Sequence, residues 1–329
     1  MKYLVKVRLC KMHDVIERMG EVGIVPVIAI KDAEDAVPLA KALNAGDLPI
    51  AEITFRTEAA EESIKRIAAE VPEVMVGAGT VLTVDQTKRA VAAGAKFIVA
   101  PGFNEKVVDY CLQNNIPVTP GINTASEIEK ALEKGLEVLK FFPAEASGGL
   151  KTIKALAGPY TTVRFYPTGG INPGNVADYI TYDRIFTCGG SWMVKSDLIA
   201  AKRFDEITRL CKEAVDLVLG FEFAHLGINT ANEDKAMASA NVFADLFAFP
   251  VRVGTSSVFA SSGIEINKSM GLGAHGHIAI RTNSLKRALA YLKRKGINMS
   301  GEMRVRNGKP IAAYIDKEVA GFAIHLLQK

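Results

Sequence analysis

The sequence lacks any uncharged apolar run of about 18 residues, so no membrane-spanning helix is expected. Its opening stretch, Met1 to Gly20, is charged throughout and has no apolar signal core, so no secretory leader is expected either. Cysteine is sparse. Cys10, Cys111, Cys188 and Cys211 are scattered without paired spacing, which argues against a disulfide framework or a zinc cluster. They read as reduced thiols of a cytoplasmic protein. No block has the composition of a disordered segment. Charge is short too: the formal balance is only +4, and the basic residues carry no nucleic-acid-binding motif around them. Neither a membrane nor a nucleic acid is expected as partner.

What is present is apolar content of 49%, ample for sizeable cores over 329 residues. The charge is unevenly spread. Residues 221–329 hold 14 Lys and Arg against 8 Asp and Glu, whereas residues 1–220 hold 26 against 28. Four of the five histidines also follow residue 220. This shift predicts two domains, 1–220 and 221–329, with a boundary near Leu219-Gly220.

In the first segment, short apolar runs alternate with helical patterns. Strands are predicted over 24–30, 49–54, 74–79, 97–100, 116–119, 138–142, 163–168 and 184–188. Alternation at about 25 residues per unit indicates parallel pairing through helical crossovers. Eight units predict an α/β fold, a (β/α)8 TIM barrel, in which chemistry belongs at the carboxyl ends of the strands.

The sixth predicted strand carries Lys140 between Leu139 and Phe141-Phe142. Dehydration disfavours an ammonium ion, and a neutral amine can attack a ketone to form a Schiff base. The alternative is a strand-end lysine whose head reaches water. Glu52 and Thr54 share one face of the second strand, which points Glu52 into the barrel. Arg56 follows, where its planar fork could hold a carboxylate; a plain Glu52–Arg56 ion pair is the other reading. Gly77-Ala78-Gly79-Thr80 closes the third strand and Pro101-Gly102 follows the fourth; either could be a turn or a place where backbone approaches a ligand. Thr168-Gly169-Gly170 and Gly189-Gly190-Ser191 close the last two strands, where such barrels often bind phosphate through exposed backbone N–H groups.

Together these stretches resemble one family, the class I 2-dehydro-3-deoxy-phosphogluconate / 4-hydroxy-2-oxoglutarate aldolases. The similarity keeps order and spacing from residue 20 to about 213. It implies Lys140 as the Schiff-base lysine and Glu52 as the general acid/base. Arg56 and Thr80 would hold the pyruvate carboxylate end, with Thr168 lining the same pocket and Pro101 among the substrate-binding residues, and Gly169, Gly170, Gly190 and Ser191 would bind the substrate phosphate. It also implies a 2-keto-3-deoxy sugar-acid substrate, no cofactor for the aldol reaction, and a homotrimer. Ala100 and Ala125 depart from the family's usual serine and proline, which leaves a related unphosphorylated or galacto-configured substrate open.

The second segment repeats itself. A strand, a helix and further short strands recur, and the leading strands are alike: His225-Leu226-Gly227-Ile228 and His277-Ile278-Ala279-Ile280. An α+β domain of paired βαβββ modules is expected. It resembles the glyoxalase/dioxygenase, or vicinal oxygen chelate, superfamily. That resemblance implies His225, Glu265, His277 and His325 as ligands of a divalent metal. Strand alternation puts all four on one face. The alternative is a metal-free module for regulation or assembly.

Overall fold

The computed structural model describes residues 14–329. Cys10 and the first 13 residues of the opening stretch lie outside the described residues. The chain divides into two compact units, one ending at Val218 and the other spanning Leu219–Lys329.

The first unit is a ring of parallel strands. β1 (Ile24–Ile28), β2 (Ile50–Thr54), β3 (Met75–Gly79), β4 (Ile98–Val99) and β5 (Val118–Thr119) pair in that order. The fifth position then breaks at Pro120. Beyond it β6 (Gly121–Ile122) pairs with β7 (Val138–Phe141), and β7 with β8 (Arg164–Pro167). Proline has no N–H to give a ladder, yet its carbonyl accepts from the Lys140 amide at 2.9 Å, which keeps the wall continuous. Two bridges, Phe165 to Ile185 and Thr168 to Gly189, join β8 to the last position. β9 (Cys188–Gly190) then closes the ring on β1. The strands are buried almost throughout, as expected of a parallel sheet with both faces covered.

The eighth strand is a correction. It was expected over 184–188 but runs Cys188–Gly190, and Ile185 makes only a bridge. Arg184 donates to the carbonyls of Tyr160, Thr161 and Val163, and the Ile185 amide bonds back to Tyr182. Only the Arg184 carbonyl and the Phe186 amide bond to Phe165, which leaves a single bridge in place of a ladder.

Helices start where the side chains dictate. Thr83, Asn104 and Thr124 each accept an amide of the first turn, and Thr124 with Glu127 completes a reciprocal capping box.

The second unit is one eight-stranded sheet made of two like halves. The first half is β10 (Glu222–Asn229), the helix Glu233–Phe247, β11 (Val251–Val253), β12 (Ser257–Ala260) and β13 (Ile264–Asn267). The second is β14 (Gly276–Thr282), the helix Leu285–Arg294, β15 (Met299–Arg306), β16 (Lys309–Val319) and β17 (Phe322–Gln328). In each half the last strand returns parallel to the first, β13 to β10 and β17 to β14. The antiparallel pair β10–β14 joins the halves. The paired βαβββ pattern calls for a strand where β15 lies, but the sequence sets no range for it.

Candidate active site and a histidine cup

β2 and β7 aim their charged residues at one another. Lys140 Nζ lies 3.1 Å from Glu52 Oε1, with the side chains 5% and 0% exposed. Tyr166 is the register partner of Lys140 on β8, and its fully buried phenol donates to Glu52 Oε2 at 2.7 Å. Burial foremost, then the Glu52 charge, holds that phenol well above its ordinary range, so it remains a neutral donor. The carboxylate is thus held from two sides, by an amine and by a phenol. A Cβ on Gly79 would sit 2.2 Å from Glu52 Oε1, so only glycine leaves the carboxylate its place.

Thr54 donates to the Ile28 carbonyl at 2.8 Å, and Arg56 Nε donates to Thr54 Oγ1 at 3.1 Å. Glu52 therefore takes Lys140 and Tyr166, and the simpler Glu52–Arg56 ion pair does not form. Arg56 stands exposed just beyond the strand end. Thr80 follows β3 with φ at 55°. A β-branched residue there is strained, and such strain clusters where ligands are held. Pro101 is half-buried, and its carbonyl would lie 2.1 Å from a Cβ on Gly121. Thr168 is buried between the Tyr166 phenol and Gly189.

Gly169 and Gly170 both take positive φ, 100° and 86°. A Cβ on Gly170 would lie 2.5 Å from Glu145 Cγ. Asn172 and Asn175 donate to the Gly170 carbonyl at 2.9 and 3.1 Å, which fixes the loop. On the neighbouring loop Ser191 is exposed and begins a short 3-10 helix without capping it.

A family model described as KDPG and KHG aldolase matches residues 15–210. The chain belongs to this family. It is a class I aldolase. A 2-dehydro-3-deoxy-phosphogluconate aldolase of Treponema pallidum is 50% identical over 207 residues, covering 63% of this chain and 99% of the relative. The KHG/KDPG aldolase of Escherichia coli K12 is 48% identical over 193 residues, 59% of this chain and 91% of the relative. A crystal structure of KDPG aldolase from Legionella pneumophila, with pyruvate captured as a covalent carbinolamine, is 38% identical with a TM-score of 0.59, covering 61% of this chain and 97% of that one.

Sequence reasoning about this aldolase missed Tyr166. A tyrosine inside an apolar strand reads as core. The available signal was its spacing from Thr168, two residues on and so on the same face.

The four residues singled out in the aldolase's second unit converge. Glu265 Oε2 lies 2.9 Å from His225 Nε2 and 3.2 Å from His277 Nε2, and those two nitrogens are 3.1 Å apart. Donor atoms of His225, His277 and His325 all fall within 4.8 Å of one another. Ser257 donates to the other oxygen of Glu265 at 2.6 Å and orients it. Burial alone would raise the Glu265 carboxyl, but hydrogen bonds from His225, His277 and Ser257 hold it far below its usual range. His325 is 5% exposed, and neither of its ring nitrogens has a partner. Burial, then the neighbouring imidazoles, pushes it down to about 3. Gly227 makes room: a Cβ there would meet the His277 ring at 2.1 Å.

Proposed function

We propose that Lys140 is the Schiff-base nucleophile and Glu52 the acid/base of an aldolase that cleaves 2-dehydro-3-deoxy-6-phosphogluconate to pyruvate and glyceraldehyde 3-phosphate. The same site would cleave 4-hydroxy-2-oxoglutarate to pyruvate and glyoxylate. The observation that carries this is the buried Lys140–Glu52 contact of 3.1 Å between β7 and β2.

Lys140 Nζ adds to the C2 ketone, and loss of water leaves a protonated imine. Glu52 takes the C4 hydroxyl proton as the C3–C4 bond breaks, and the bond's electrons pass into the iminium to give an enamine. The aldehyde leaves. Protonation of C3 and hydrolysis release pyruvate and restore Lys140. The reaction draws on no metal, because the iminium is the electron sink. Tyr166 keeps Glu52 turned toward the amine. Arg56, Thr80, Pro101 and Thr168 surround the pyruvate carboxylate end, and Gly169, Gly170, Gly190 and Ser191 receive the phosphate.

We read the second unit as a vicinal oxygen chelate module. Its doubled strand order and its converging imidazoles and carboxylate support this. His225, Glu265, His277 and His325 fit a divalent cation, since His325 is otherwise a buried imidazole with no partner. Such a cation would supply Lewis acidity. We take the assembly to be a homotrimer, as the family resemblance implies. Its place is the cytoplasm, where the free, buried Cys111, Cys188 and Cys211 stay reduced.

The test is trapping. Borohydride added with pyruvate should reduce a covalent adduct onto Lys140, located by peptide mass spectrometry. An adduct on another lysine, or none, would overturn the assignment.

A further inference from the structure

Two arginines stand on the histidine face of the second unit without a carboxylate partner among the described residues. Arg252 lies over the Phe259 ring, 4.8 Å from its centre, and Arg304 over the Tyr314 ring at 6.0 Å. The strand register fixes their side. Arg252 stands opposite Phe259, Phe259 opposite Glu265, Glu265 opposite Gly227, and Gly227 opposite His277. Opposed residues share a face, so Arg252 belongs to the same side as the cup. In the other half Tyr314 opposes His325, and Arg304 opposes Ala312, two residues from Tyr314. Arg304 therefore shares the face of Tyr314 and His325.

The two halves repeat the arrangement: Arg252, Phe259, Glu265 in one and Arg304, Tyr314, His325 in the other. Each arginine stands on an outer strand, β11 or β15, at the far end of a row that leads inward to the cup. A solvated arginine lying on an aromatic ring is common and by itself points to no ligand. The cup adds a separate observation. His325, buried and unpartnered at both nitrogens, has its ring 4.8 Å from Tyr314 and 5.6 Å from His225. Both nitrogens of a buried imidazole left unmatched call for something between the two rows. Glu265, the carboxylate of the cup, is already engaged by Ser257, His225 and His277. With a divalent cation in place the cup would carry net positive charge, and the arginines add to it. A guanidinium presents a planar fork that matches a carboxylate.

We propose that this cup takes a small dicarboxylate, its charges shared between the cation and the guanidinium groups of Arg252 and Arg304. The proposal rests on the reading of the cup as a cation site. It is tested with the full chain loaded with cobalt(II), whose visible absorption reports ligands entering its coordination. Malonate should change the spectrum saturably and bind about tenfold tighter than acetate. The paired substitution Arg252→Gln, Arg304→Gln should weaken malonate about tenfold or more, while cobalt uptake and the response to uncharged imidazole stay as in the parent. Equal malonate affinity in the paired variant, or no preference over acetate, overturns the proposal and leaves the cation reading standing. So does cobalt uptake with no response to malonate. Failure to bind cobalt overturns the cation reading and this proposal with it.

Discussion

Tyr166 is the residue on which the barrel site turns once Lys140 and Glu52 are in place. Its hydroxyl meets one oxygen of Glu52 while Lys140 meets the other. Tyr166→Phe keeps the ring and removes only the donor. A buried carboxylate short of one hydrogen bond loses about 1.5–3 kcal/mol. The expected result is a kcat lower by about ten- to a hundredfold with KM little changed. A purely structural tyrosine would lower stability and leave kcat of the folded enzyme in place. Ser191 allows a second single-residue test. It is exposed beside the glycine loop, so Ser191→Asp sets a charge against an incoming phosphate without disturbing a core. KM for the phosphorylated substrate should rise about tenfold or more, and KM for 4-hydroxy-2-oxoglutarate much less. Equal losses on both would assign Ser191 to the fold or the chemistry.

At the scale of elements, two helices carry a pH dependence. Cys111 on the helix Glu105–Gln113 and Cys211 on the helix Phe204–Leu219 are fully buried, and burial pushes each thiol up to about 12. An unfolded thiol ionises near about 8.5. Folded-state values above the unfolded one mean that the stabilising contribution is complete below pH of about 8.5 and is lost as pH rises toward 12. Each thiol should therefore cost up to about 1.4 kcal/mol of stability per pH unit in that window. Denaturant titrations at stepped alkaline pH measure the slope, and the double substitution Cys111→Ala, Cys211→Ala should flatten it. An unchanged slope would place the alkaline sensitivity elsewhere. The same scale shows what the sequence made legible. Parallel strands buried on both faces write themselves as apolar runs, so seven of the eight barrel positions could be read directly. The eighth, Cys188–Gly190, is three residues long and two of them are glycine, so it carries no such run. β15 is hidden for the opposite reason: nearly every side chain of Met299–Arg306 is exposed, and no alternation marks it. In the site, Lys140 and Glu52 stood out because charge is costly in an apolar strand. Tyr166 did not, because a phenyl ring satisfies the same pattern whether or not its hydroxyl is used. Arg252 and Arg304 could be linked to the cup only through strand register.

For the whole molecule, the barrel reaction and the proposed cation site of the second unit should separate. The barrel reaction passes its electrons into an iminium, so it draws on no metal. The second unit gathers three imidazoles and a carboxylate. A cation bound there stabilises only the folded module, by about 2.7 kcal/mol at a hundredfold excess over its dissociation constant. Chelation should therefore lower the melting temperature of residues 219–329 and leave pyruvate release by the barrel unchanged. Metal content, melting temperature and pyruvate release can be followed in one sample, with and without chelator. Aldolase loss that returns on adding metal would show that the two units are coupled and that the barrel depends on the cup. Retained activity together with a lowered second transition would establish two independent sites. Zinc, nickel, iron and manganese can be loaded in turn to find which cation restores that transition. If none of them binds, the buried His325 needs another partner, and the second unit becomes a binding or assembly domain.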